Sequence, residues 1–299
     1  MTFDITPYRD LYPFESHYLE RNGIRYHYLD EGKGQPLVML HGNPTWSFYF
    51  RTLVKALRPF YRVIVPDHIG CGLSEKPGED KYTYQLKSRL EDLEALLEHL
   101  GIQDNITIIA HDWGGMIGSA FAVRHSEKVK RLVMMNTSAF MLPEGKKLPL
   151  RLWLIRMIRP FASVAVRGFN VFSWAATWMA TKKGLDAPVK AGLVAPYDSW
   201  KNRLAVLRFV QDIPLVPGDP SYDLCLEVQQ NLDRLEGIPL MICWGEHDFV
   251  FDMGFLAEWR KRFPKAEVHS FNDAGHYVLE DVPDKIVPLV EDFLQRHPV

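Results

Sequence analysis

Short apolar runs bounded by turn residues recur along the chain: PLVML before His41, YRVIV before Pro66, ITIIA before His111, RLVMM before Asn136, PLMIC before Trp244 and EVHSF before Asn272. Apolarity sustained over so few positions predicts strands buried on both faces, the habit of parallel sheets. Between them lie helical repeats, clearest in TYQLKSRLEDLEALLEHLG, where Leu86, Leu90, Leu93, Leu97 and Leu100 recur at three- and four-residue steps. Thr83 is expected to cap the start of that helix and Gly101 to end it. The opening segment SHYLERNGIRYHYLD is centred on Asn22-Gly23, the dipeptide that tolerates the positive φ angles of a type I′ turn, so the chain should begin with an antiparallel hairpin. The expected class is α/β: a mostly parallel central sheet flanked by helices, with ligands at the carboxyl ends of the strands.

The alternation stops near Phe140 and resumes near Leu226. Helical and loop-like segments replace strands there, and tryptophans gather at Trp153, Trp174, Trp178 and Trp200. We expect a helical cap, or lid, over residues 140–226, inserted between a first core part, 1–139, and a second, 227–299. The most apolar stretch, LPLRLWLIRMIRPFASVAV, is broken by Arg151, Arg156 and Arg159, so no integral membrane segment is expected. A lid rich in tryptophan and arginine does offer a face to a second copy of the chain or to a lipid surface.

Composition narrows the function. Apolar residues make up 47% of the 299 positions and charged residues 24%, enough for a large buried core. The net charge of −2 lacks the basic surplus that nucleic acid binding needs. Cys71, Cys225 and Cys243 are odd in number and far apart, which indicates neither a disulfide framework nor a cysteine metal site. MTFDITPYRDLYPFES places acids and prolines where a secretory signal would be basic and then apolar, so a cytoplasmic location is expected.

The sharpest chemical feature is ITIIAHDWGGMIGSAFA, where Asp112 follows a strand and precedes a helix of small residues, with Ala110 and Gly114 beside it. This has the form of a nucleophile elbow, a strained turn that presents one side chain above the sheet. A carboxylate there is already ionised near neutral pH and can attack saturated carbon directly. The resulting alkyl ester needs a base only when water cleaves it. His276, in NDAGHYVLED after the last strand, suits that task, and Asp248, in CWGEHDFVFD, is the expected carboxylate that orients it. Glu246 and Asp252 compete for the last role. In LVMLHGNPTWSFYFR, Asn43 follows a strand end, and its backbone amide with that of Trp113 would form an oxyanion hole. The Asn43 and Trp113 side chains add donors without charge, fit to hold a departing halide.

At HGNPTWS, HDWGG, the Asp248 loop and GHYVLED, and over nearly its whole length, the sequence resembles the haloalkane dehalogenase family of α/β-hydrolases. The resemblance implies Asp112 as nucleophile, His276 as base, Asp248 as acid, Asn43 with Trp113 as the halide pair, and no metal or organic cofactor. One branch of the family takes its acid from the end of the preceding strand, which here is Asn136. The combination of Asp248 with Asn43 is similar to the third subfamily, which in turn resembles the β-lactone decarboxylases of olefin biosynthesis. Two small apolar substrates therefore stay open. Dehalogenation of haloalkanes to alcohol and halide is the leading expectation, and decarboxylation of a long-chain β-lactone to an alkene is the alternative. Epoxide hydrolases share the HDWGG turn but use two lid tyrosines, for which Tyr197 and Tyr222 are the candidates here. A binding module that has kept the scaffold without catalysis is the remaining class.

Overall fold

A computed structural model describes residues 3–299. The expected runs all form strands: β1 (His17–Arg21), β2 (Ile24–Glu31), β3 (Pro36–Leu40), β4 (Arg62–Pro66), β5 (Ile106–Asp112), β6 (Val129–Thr137), β7 (Leu240–Gly245) and β8 (Glu267–Phe271). They make one sheet in the order β1-β2-β4-β3-β5-β6-β7-β8. β2 runs antiparallel to both β1 and β4, and every other pairing is parallel. The hairpin turns at Asn22 and Gly23 with φ of 51° and 74°, the two positive angles its sequence predicts.

Alternation within each strand sorts the core into two layers. Val38, Leu40, Ile108, Leu132 and Ile242 join one apolar cluster, which includes residues of the helices Leu86–His99, Trp113–Arg124 and Met253–Arg262. Leu37, Met39, Ile109, Val133 and Met241 join the other, shared with helices Arg51–Leu57 and Pro283–Arg296. Because neighbouring side chains point to opposite faces, a strand covered on both sides must be apolar throughout, as the central runs are; the edge strand β8, with Glu267, His269 and Ser270, is instead only part-buried, against expectation.

The helix at Leu86–His99 departs from expectation at its start. Thr83 does not cap it; its hydroxyl lies 2.5 Å from that of Ser88. The free Leu86 amide instead donates to the Asp212 carboxylate at 2.8 Å and to Ser221 at 3.1 Å, groups more than a hundred residues away. The Asp212 carboxylate also pairs with buried Arg89 at 3.2 Å. A remote carboxylate thus does the work of a local cap, and no local pattern encodes it. Gly101 ends the helix at a φ of 66°, as read.

Between β6 and β7 the chain leaves the sheet and forms helical segments at Leu150–Met157, Arg159–Ala162, Val171–Met179, Ala187–Val194, Leu204–Gln211 and Tyr222–Gln230. A π-helical turn, Ser163–Gly168, joins the second and third. Among the described residues, no helix is long and apolar enough to cross a membrane.

Candidate active site

The strand order reverses at β3, with β4 on one side and β5 on the other, so the loops leaving β3 and β5 diverge and open a crevice between them. Asn43 lies on the first loop and Asp112 at the end of β5. Asp112 holds a φ of 53° and ψ of −125°, a region costly for any residue with a side chain. Small neighbours make this turn fit. A Cβ at Gly114 would overlap the Leu40 carbonyl, one at Gly115 the Thr137 side chain, and one at Gly42 the Asp112 carboxylate itself. The Thr137 hydroxyl also donates to the Asp112 carbonyl, pinning the elbow to β6.

The Asn43 backbone amide donates to Asp112 Oδ1 at 2.6 Å, and the Trp113 amide also bonds the carboxylate. The two expected oxyanion donors therefore converge on the Asp112 carboxylate. Their side chains differ in availability. Asn43 donates its amide nitrogen to the Val206 carbonyl at 3.1 Å, and its side-chain oxygen is buried without a partner. Trp113 is half-buried, packs against Phe209 at 5.5 Å between ring centroids, and faces the cavity.

His276 stands on the loop after β8. Its Nδ1 lies 2.7 Å from Asp248 Oδ2 and its Nε2 lies 3.7 Å from Asp112 Oδ2. The other Asp248 oxygen accepts the amides of Val250 at 2.7 Å and Phe251 at 3.0 Å, so this carboxylate is fixed at both ends. The competitors take other positions. Asp252 caps the helix Met253–Arg262 through the Gly254 amide at 2.9 Å, and Glu246 is half-buried outside the cavity wall.

Burial raises the Asp112 carboxyl above its ordinary range, although His276 and the Asn43 and Trp113 amides pull it back. Burial alone would lower the imidazole of His276. The opposing attraction of Asp248, its hydrogen bond and the charge of Asp112 prevail and raise it. The arrangement thus favours an imidazolium held between two carboxylates.

Three supports escaped the sequence reading. Asn136, treated above only as a site without charge, donates its side-chain amide to Asp248 Oδ2 at 3.0 Å and accepts the Gly245 amide at 2.8 Å. It positions the acid it does not replace. His111 sets a ring nitrogen 2.8 Å from the His276 carbonyl; burial pushes its own pKa well down, so the neutral ring donates from that nitrogen. Asp281 accepts the amides of Gly275 at 2.7 Å and Lys182 at 2.8 Å, joining the histidine loop to the segment after helix Val171–Met179. An acid in GHYVLED was visible in the sequence, but its partners come from another part of the chain.

Above the carboxylate lies a cavity of about 390 Å³. Asn43, Asp112, Trp113 and His276 form its polar end, and Leu152, Ile155, Val166, Phe172, Val210 and Phe255 are among its apolar walls. Neither lid tyrosine lines it. Tyr197 is buried, with its hydroxyl donating to the Thr45 carbonyl at 3.0 Å.

The family profile described as alpha/beta hydrolase fold matches residues 35–283. The chain belongs to the α/β-hydrolase fold family. Among characterised relatives, this α/β hydrolase is 51% identical over 285 residues to a cis-3-alkyl-4-alkyloxetan-2-one decarboxylase of Shewanella oneidensis, covering 95% of this chain and 89% of the relative. It is 31% identical over 294 residues to haloalkane dehalogenase 2 of Mycobacterium bovis, covering 97% and 98%. Among solved structures, the haloalkane dehalogenase DatA of Agrobacterium tumefaciens superposes with a TM-score of 0.84 at 22% identity, covering 95% of this chain and 97% of that one. That last likeness is one of fold. The kinship to enzymes of this class stands with the hydrolase, dehalogenase-like and decarboxylase-like readings of the sequence.

Proposed function

We propose that this hydrolase decarboxylates cis-3,4-dialkyl β-lactones, with Asp112 as nucleophile, His276 and Asp248 as its charge partners, and the Asn43 and Trp113 amides as donors. The observation that carries the reading is the 51% identity, over nearly the whole chain, to an enzyme named for that substrate. It favours the alternative of the two open substrates over the leading one. An ionised carboxylate at the floor of an apolar cavity suits a lactone bearing two alkyl chains.

In the scheme we favour, an Asp112 oxygen attacks ring carbon 4, and the carbon–oxygen bond of the ring breaks with its electron pair passing to the departing carboxylate. The product is an alkyl ester of Asp112 that carries a carboxylate on the adjacent carbon. The bond between that carbon and its carboxylate then breaks, its pair forms the alkene, and the ester oxygen returns to Asp112 with the pair it had shared. Carbon dioxide leaves. Every atom is accounted for without water or an added base. The His276 imidazolium offsets the carboxylate charge in both steps, and Asp248 holds the ring toward it.

A second reading is favoured by the Trp113 indole at the polar end of the cavity. As haloalkane dehalogenase chemistry, Asp112 would displace halide, and His276 would deprotonate the water that cleaves the ester. The lid of this scheme is residues 140–226, set between core parts 1–139 and 227–299. A cytoplasmic location fits the three free, buried cysteines. The test offers the purified enzyme a cis-3,4-dialkyl β-lactone and, in parallel, a bromoalkane of similar length. Alkene and carbon dioxide appearing together support decarboxylation. Halide release with no alkene from folded protein overturns it.

A further inference from the structure

Eight lysines and arginines lie between Glu144 and Asp186, with no acidic residue among them. Lys146, Arg156 and Lys183 are matched by carboxylates of other segments. Lys147, Arg151, Arg159, Arg167 and Lys182 make no ion pair among the described residues. The same stretch exposes large apolar side chains that a water-facing helix would not keep: Phe169 is 74% exposed, Leu150 70% and Trp178 69%, with Trp153, Phe161 and Trp174 about half exposed. Isolated exposed hydrophobes mean little, but a contiguous run of them marks a surface that meets something apolar.

We infer that this face docks on an anionic lipid bilayer, with tryptophan and phenylalanine entering the interface and the unpaired cations meeting the headgroups. Charge selects the occupant. Four exposed cations without counter-ions, Lys147, Arg151, Arg159 and Lys182, interleaved with Trp, Phe and Leu, match a surface negative at its headgroups and apolar beneath. The cavity opens toward the same face: Lys147, Arg151, Phe161 and Val171 line the cavity and are also exposed. A substrate dissolved in the bilayer can therefore reach Asp112 without crossing water. Docking stands apart from the substrate assigned above, whereas delivery of a two-chained lactone from lipid rests on it.

The test floats the intact enzyme with vesicles of phosphatidylglycerol and phosphatidylcholine, and with phosphatidylcholine alone. Expected are co-flotation with the anionic vesicles, release at high salt, and quenching of tryptophan emission by lipids brominated in their chains. Arg159→Glu and Phe169→Ser/Trp178→Ser, which leave the cavity wall and the histidine-loop supports untouched, each weaken vesicle binding by about tenfold or more. Both are expected to keep wild-type turnover of a short, water-soluble substrate. Failure of the unmodified enzyme to bind anionic vesicles, absence of quenching, or equal binding by both variants overturns the proposal. A concentration-dependent dimer that hides these residues from quencher also overturns it and assigns the face to a second copy. None of these readouts requires turnover of a lactone, so the docking face and the catalytic assignment fail separately.

Discussion

His276 Nε2 stands 3.7 Å from Asp112 Oδ2, beyond a direct hydrogen bond, while its other nitrogen is held by Asp248. The gap leaves Nε2 facing the cavity and the ester that Asp112 would form. Hydrolysis uses that nitrogen as a base toward water; the proposed decarboxylation uses only its charge. The two schemes therefore differ in one atom. After many turnovers of the lactone in ¹⁸O-water, the peptide containing Asp112 is expected to remain unlabelled by mass spectrometry. Label in its carboxylate would rule out direct elimination and restore a hydrolytic half-reaction.

Asn136 and Asp248 form the second testable pair. Replacing Asn136 by Ala removes the donor to Asp248 and both side-chain bonds to Gly245. Losing hydrogen bonds in a buried network costs about 1–3 kcal/mol, and the thermal midpoint should fall by several degrees. A merely structural role would stop there. A positioning role predicts in addition a drop in kcat of about tenfold to a hundredfold with little change in KM, and a shifted pH–rate profile, because Asp248 no longer holds His276 in one orientation. Asn136→Asp adds a second carboxylate beside Asp248, and restoration of kcat by that variant would argue against the amide as the necessary donor.

Both central groups bind protons more tightly folded than unfolded. Burial raises Asp112, and the two carboxylates raise His276 against the pull of burial. Each therefore contributes stability that is full below its unfolded pKa and is lost as pH rises through its folded pKa. For Asp112 the window opens above 3.8, and for His276 above 6.5. The difference in thermal midpoint between wild type and Asp112→Asn/His276→Gln should shift against the wild type as pH increases across these windows. In the proposed scheme activity has its own acid limit, because only an ionised Asp112 would attack. It should fall with acidification at a pH above the ordinary carboxylate value, and a limit at or below that value would contradict the assignment of a raised pKa.

Gly42 tests the approach of the β3 loop to the proposed nucleophile. A methyl group there overlaps both the carboxylate and the Cβ of Asp112, and no rotamer change moves that Cβ away. Gly42→Ala should therefore shift the loop backbone and lower the thermal midpoint, while kcat/KM falls by about a hundredfold as the carboxylate is parted from its donors. Gly114→Ala, by contrast, meets the Leu40 carbonyl and should lower soluble yield as well as activity. Equal activity of Gly42→Ala and wild type would mean that this approach of the β3 loop to Asp112 is not needed for the reaction.

Much of this protein is determined locally. Unbroken apolar runs define the strands because both faces of a parallel sheet are covered. Asn22-Gly23 defines the hairpin because few residues accept positive φ, and the small residues around Asp112 define the elbow because only they clear Leu40 and Thr137. That Asp112, His276, Asp248, Asn43 and Trp113 lie together was legible for the same reason: each follows a strand end, and those ends converge in this fold. What only tertiary structure decided are contacts between positions that no periodicity links. Asp212 in place of Thr83 at the helix start, Asn136 behind Asp248, His111 under the histidine loop and Asp281 across to Lys182 all satisfy buried polar groups with remote partners. A buried amide or carboxylate must find a partner somewhere, but the sequence names the need without naming the residue, because the choice depends on which loops the sheet order brings together.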